Sequence, residues 1–385
     1  MFETLNDRGL RTSQADLVKN YLFGRAGPDR INQAAHFWSA MVATLESATN
    51  DPDITIDFIR HYLIVRHGHL REVEEFKTIN GQVRSAPAAV EFASSLDALS
   101  TVYIATLNAN HERWNASGER ARKAIQVLRL FNIKPLRPVV LAVANNFPAG
   151  ELVPALEFLA MLAVRLIVAS STRTSTVEVP LATTAKLVFD RSIDSASKLR
   201  ESLAQVTPGD AQFHDAFAIM PVSNRRLARY YLRSLQGASD KERNAWWLPQ
   251  DELDSINIDH VLPQRPEGNW PEFDDETHDA YVNRLGNQAL MEATVNADLR
   301  SAGFAAKKPA YAKAFYTLTS QIAQADDWTP ETIELRQRGL AKLAVDTWPI
   351  KASGKPPRAP RPKRSRDDED VNEIAFRTVR EATDI

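Results

Sequence analysis

From Asp16 to about Leu248, apolar residues recur at three- and four-residue spacing with few β-branched runs, the pattern of successive amphipathic helices. Phe58, Tyr62 and Val65 mark one stripe, and Ala124, Val127, Leu128 and Phe131 another; both are predicted to face a core. Pro135, Pro138, Pro154 and Pro180 are expected at the joins, because proline punctuates helices. No fixed-period repeat marks a solenoid. Near residue 250 the texture changes. Trp246, Trp247 and Pro249 are expected to end the last helix, and the short apolar run Ile256 to Leu262 reads as a strand entering a loop. A closing helix is predicted near Pro330 to Thr347, with Ile333, Leu335, Leu340, Leu343 and Ala344 on its apolar face. A helical domain is thus expected over 25–248, a second domain over 249–350 and a tail over 351–385.

Composition narrows what such a chain can do. With 385 residues it can bury substantial cores without staples, and the absence of cysteine excludes disulfides, thiolate zinc sites and cysteine nucleophiles. A reducing cytoplasm is the expected compartment. The charged N-terminus, MFETLNDRGL, has no apolar run of the signal-peptide kind. Phe158 to Ala169, interrupted by Arg165, is shorter than the roughly 20 residues of a membrane helix, so no membrane partner is expected. Forty-seven basic residues against 49 acidic ones leave a net charge of −2, so any nucleic-acid-binding surface must be local. The Pro-rich tail has one: Lys351, Lys355, Arg358, Arg361, Lys363, Arg364 and Arg366 precede Asp367, Asp368, Glu369 and Asp370. It reads as a disordered solvated tail, with a phosphate-contacting arm as the functional alternative.

The chemistry-bearing stretch is Ile258-Asp259-His260-Val261-Leu262-Pro263-Gln264, then Leu285-Gly286-Asn287-Gln288, then Asn296, then Lys307 and Lys308. Hydrolysis of a phosphodiester needs a base to deprotonate water and a cation to neutralise charge on the phosphorane. His260 suits the first role, since imidazole titrates near neutrality. Asp259 and Asn296 suit the second as oxygen ligands to Mg²⁺ or Mn²⁺, and Lys307 and Lys308 are candidate DNA contacts. Neighbours on a strand point to opposite faces, so Asp259 and His260 could share one site only where the strand breaks, and Pro263 sits where such a break would fall. Alone, His260 would read as a surface or satisfied core histidine; within the ordered set it reads as a base.

This ordered set resembles the HNH, or ββα-metal (His-Me finger), nuclease module at the C-terminus of GmrSD-type modification-dependent restriction enzymes. The shared pattern is supplied by Asp259, His260, Pro263, Gln264, Leu285, Gly286, Asn287, Asn296, Phe304 and Lys307. The same order occurs in the HNH domain of CRISPR effector nucleases. The resemblance implies that Asp259 and Asn296 bind metal, that His260 is the general base, and that Asn287 braces the loop bearing it. Trp328-Thr-Pro-Glu-Thr-Ile-Glu-Leu-Arg with Trp348 is similar to the family's terminal helix.

Phe2-Glu-Thr-Leu-Asn6-Asp-Arg8-Gly9-Leu with Ser13-Gln-Ala-Asp16-Leu-Val-Lys19-Asn20 resembles a signature of these enzymes' N-terminal domain, so residues 1–24 read as a remnant of it. The resemblance implies an upstream ParB-like α/β region with an Asp-Gly-Gln-Gln-Arg motif linked to nucleotide binding; the chain has no such motif. The expectation is an enzyme missing its front, with a separate domain or subunit as partner. Asn6, Arg8 and Asp16 are carried over as part of an NTP site, against the plainer reading of a turn and a helix capped by Ser13. The fold class expected is mainly α, a helical bundle followed by a ββα-metal nuclease domain. Its expected function is Mg²⁺-assisted cleavage of DNA, modified foreign DNA in particular; a non-cutting DNA- or partner-binding remnant and an RNA-cutting toxin stand as alternatives.

Overall fold

Apolar stripes at helical spacing become helices over most of the chain in the computed structural model, which describes residues 14–170, 175–248, 256–299 and 301–350. The first helices are α1 (Gln14–Ala48), α2 (Ile54–His67), α3 (Glu72–Gln82), α4 (Ala86–Leu107), α5 (Gly118–Phe131) and α6 (Arg137–Asn146). There follow α7 (Ala149–Val168), α8 (Ser175–Phe189), α9 (Ala196–Ser202), α10 (Asp210–Phe217) and α11 (Arg225–Ser239). Next come β1 (Ile256–His260), α12 (Asp275–Tyr281), β2 (Gln288–Glu292), α13 (Ala293–Leu299), α14 (Phe304–Ala312), α15 (Thr317–Ser320) and α16 (Pro330–Thr347). The protein is mainly helical.

Local signals explain several boundaries. Ser85 caps α4 by accepting the Ala88 N–H at 3.4 Å, and Thr329 caps α16 with Pro330 at its first position. A kink in α1 falls at Gly27, whose φ of 66° a side chain would resist, followed by Pro28. Other expectations need correction. Pro154 and Pro180 lie inside α7 and α8, near their starts, where the missing N–H costs one bond to the preceding turn. Helix α11 ends at Ser239, before Trp246 and Trp247. On α16, Ile333, Leu340 and Ala344 are buried, whereas Leu335 is 67% exposed. The closing tail, 351–385, with Ser13, Asn6 and Arg8, lies outside the described residues.

The predicted stripes do face a core: Phe58, Tyr62, Val65, Ala124, Val127, Leu128 and Phe131 are all buried. That core crosses the boundary expected at 248/249, taking in Ile258, Leu285, Leu290, Leu340 and Trp348. Helix α16 packs on α10 and α11, and Trp348, just beyond its end, is enclosed by the rings of Phe213, Phe217, Tyr230 and Tyr231. Its indole N–H donates to Tyr230 Oη at 3.0 Å. Arg165, the charge that interrupts the apolar run of α7, is buried here. It donates to the carbonyls of Trp348 (3.0 Å) and Pro208 (3.1 Å) and pairs with Asp210 at 2.7 Å. No described helix is long and apolar enough to cross a membrane.

Candidate active site

Strands β1 and β2 pair antiparallel, with Ile258 opposite Leu290, Asp259 opposite Ala289 and His260 opposite Gln288. Because side chains alternate, Ile258 and Leu290 join the large helical core, whereas Ala289 and Met291 join a second apolar cluster with Tyr311, Phe304, Trp328 and Ile333. Helix α13 follows β2 directly and packs on both strands, giving the local order strand, strand, helix.

Asp259 faces the second cluster. It is 4% exposed, and its two carboxylate oxygens accept from Lys307 Nζ (3.3 Å) and Tyr311 Oη (2.5 Å), both on α14. Lys307 is itself 0% exposed and donates also to the His260 carbonyl at 2.8 Å. Burial pushes the Asp259 carboxyl up and the Lys307 ammonium down from their usual ranges, and the opposite charge of each resists the shift. Lys307 was expected to meet DNA. Its ammonium is instead enclosed, holding the end of β1 to α14.

The loop after β1 is fixed by Asn287, which is 0% exposed. Its Oδ1 accepts the N–H of Leu262 (2.8 Å) and the indole N–H of Trp328 (2.9 Å), while Nδ2 donates to the carbonyls of Leu262 (2.9 Å) and Val282 (3.0 Å). Every polar valence of the amide is used. The Asn287 carbonyl also accepts from Val261 N–H at 2.9 Å. The preceding Gly286 is demanded by close approach, since a Cβ there would stand 2.4 Å from the Ile333 carbonyl oxygen on α16. Gly286 N–H donates to buried Gln337 Oε1 at 3.1 Å, and Gln337 donates on to the carbonyls of Phe217 (2.8 Å) and Met220 (2.9 Å). The Leu-Gly-Asn motif therefore fastens the loop to α16 and α10.

His260 lies on the opposite side of β1 from Asp259 and is half-buried. Its Nε2 is 3.5 Å from Gln288 Nε2, which spends its better bond, 2.8 Å, on the Val222 carbonyl just ahead of α11. Burial first, then the positive charges of Arg225 and Lys307, bring its pKa down from 6.5 to about 4, so the imidazole is neutral near pH 7. Arg225 carries no motif and sequence reading passed over it. The signal was there in Asn224-Arg225-Arg226: two arginines open α11 behind its Asn cap with no acidic residue in the first turn, the reverse of what the helix dipole favours.

The remaining candidates are spread out. Asn296 on α13 donates from Nδ2 to the Ile258 carbonyl at 3.4 Å, so it lies beside β1; Lys308 is half-buried, and Asp16 is exposed in the first turn of α1. Among the described residues no group of three or more His, Asp or Glu side chains is placed to hold a metal. Both Asp259 oxygens accept from protein partners, whereas the bond from Asn296 uses Nδ2 and not the oxygen that a cation would take.

The described residues thus combine a strand–strand–helix unit, a histidine at the end of its first strand and a loop held behind it by Asn287. Residues 207–343 match the family model described as GmrSD restriction endonucleases, C-terminal domain. Over these residues the chain is similar to that C-terminal domain. The match begins at α10, well ahead of the expected boundary at 249, in keeping with the packing of α16 on α10 and α11. No curated protein matches the chain.

Proposed function

We propose that the chain is a DNA endonuclease whose β1, β2 and α13 form an HNH-type ββα module, with His260 as the base that takes a proton from the attacking water. The observation that carries this is the position of His260. It ends β1, is neutral at physiological pH, and precedes a loop whose N–H and C=O groups are both held by Asn287. A base must keep its place while the phosphate and water approach, and a loop with satisfied buried bonds loses little order in doing so. Asn287 acts through the loop and is a positioning residue. Restriction is the biological role in keeping with the family description of residues 207–343, and modified foreign DNA is the substrate we propose for it.

The test uses the purified full chain with unmodified and modified duplex DNA and with RNA, each in Mg²⁺, in Mn²⁺ and in EDTA. Cutting of DNA, slowed about 10²- to 10⁴-fold in His260→Ala, is the expected result. Cutting of RNA alone, or DNA binding without cutting by any metal, would overturn the proposal; the EDTA arm decides whether the Asp259–Lys307 contact must open for a cation.

A further inference from the structure

At the His260 end of β1 stands a cation that has no hydrogen-bond or ion-pair partner among the described residues. Arg225 and Arg226 are exposed, and among the described residues neither guanidinium has a hydrogen-bond or ion-pair partner. Other arginines nearby are occupied: Arg229 donates to the Ile256 carbonyl at the start of β1, Arg284 to the Ala218 carbonyl at 3.5 Å, and Arg336 to those of Gly286 (2.6 Å) and Gln288 (2.8 Å). The contacts of Arg229 and Val222 set where Arg225 stands. Arg229 anchors α11 to the first residue of β1. Val222, just ahead of α11, accepts from Gln288, whose register partner is His260 at the last residue of β1. Helix α11 thus runs antiparallel to β1, and Arg225, one turn before Arg229, comes to the His260 end. Arg226 points about 100° further round the helix.

An arginine pair in the first turn opposes the positive end of the helix dipole, so this placement works against the stability of α11. It becomes favourable once an anion stands there, because guanidinium, dipole and phosphate then alternate in sign. We propose that Arg225 binds the scissile phosphate of DNA at His260, its planar fork taking two non-bridging oxygens, while Arg226 contributes only to general attraction of the backbone. The inference rests on the proposed endonuclease function and adds the group that holds its substrate.

Single-turnover cleavage at saturating duplex DNA, with DNA affinity measured across a salt titration, tests it on the full chain. Arg225→Ala is expected to lower the cleavage rate about 10²-fold, the scale of removing one preorganised donor to a developing anion, with a melting temperature no lower than wild type. Arg225→Lys should recover part of the rate, keeping the charge but not the fork. Arg226→Ala should cut at the wild-type maximal rate with weaker binding at low salt only. Wild-type cleavage by Arg225→Ala, or an equal rate loss in Arg226→Ala, would overturn the inference and leave the nuclease function standing. If the wild type itself cuts no DNA, the function fails, and an Arg225→Ala affinity equal to wild type at low salt then overturns the inference as well.

Discussion

Asp259 and His260 are adjacent in the chain, yet the two faces of β1 that carry them are built differently. The Asp259 face is closed: carboxylate, ammonium and phenol satisfy one another inside an apolar cluster. On the His260 face, among the described residues, the imidazole makes one long contact, to Gln288, and stands near an arginine without a hydrogen-bond or ion-pair partner. A buried group with all its bonds made reports on structure. A half-buried base in a cationic setting is placed to meet an anionic substrate.

The contrast can be broken first on the closed face. Lys307→Ala leaves the Asp259 carboxylate buried without its counter-charge and should lower unfolding free energy by about 3–5 kcal/mol in denaturant titration; a loss under about 1 kcal/mol would show that the pair is not the lock it is taken to be. Asn287→Ala should cost about 2–4 kcal/mol, since the backbone groups of Leu262 and the Trp328 indole lose their partners in a buried setting. Gly286→Ala is expected to cost about 1–3 kcal/mol, because the Ile333 carbonyl must give way. A stable, wild-type-like melt for that variant would mean that α16 moves freely.

The smallest effect concerns pH on the His260 face. Its folded pKa, about 4, lies below the ordinary 6.5, so the unfolded chain binds the proton more readily between these values. The contribution is therefore fully present above about pH 6.5 and is lost as pH falls toward 4. His260→Gln should flatten the stability profile in that window, and an identical slope would place the imidazole in a more exposed setting. Cleavage should persist with falling pH below 6.5, with its acid limb near 4.

Much of the scaffold was legible because helical spacing is a direct record of burial: the α2 and α5 stripes are buried, and α16 spans the stretch expected of it. Strand β1 starts where its apolar run begins, but ends at His260 because the loop from Val261 bonds to Asn287 instead of extending the ladder. Local texture near 249 does not show that Trp348 closes back on Phe213 and Tyr230. At the site, the motif marked Asp259, His260, Asn287 and Lys307 but not their directions. Strand alternation plus the reach of α14 sends Lys307 inward, a three-dimensional fact with no signature in spacing. Arg225 escaped because its relevance comes from α11 lying alongside β1, over thirty residues away in sequence.

The most direct measurement of the central claim is single-turnover cleavage of duplex DNA by His260→Ala beside the wild type, with DNA binding measured on the same preparations. A positioned general base accounts for about 10²- to 10⁴-fold in rate, so the variant should bind DNA as the wild type does and cut slower by that factor. Cutting by His260→Ala at the wild-type rate would contradict the account, because the chemistry would then lie on some other face of the molecule.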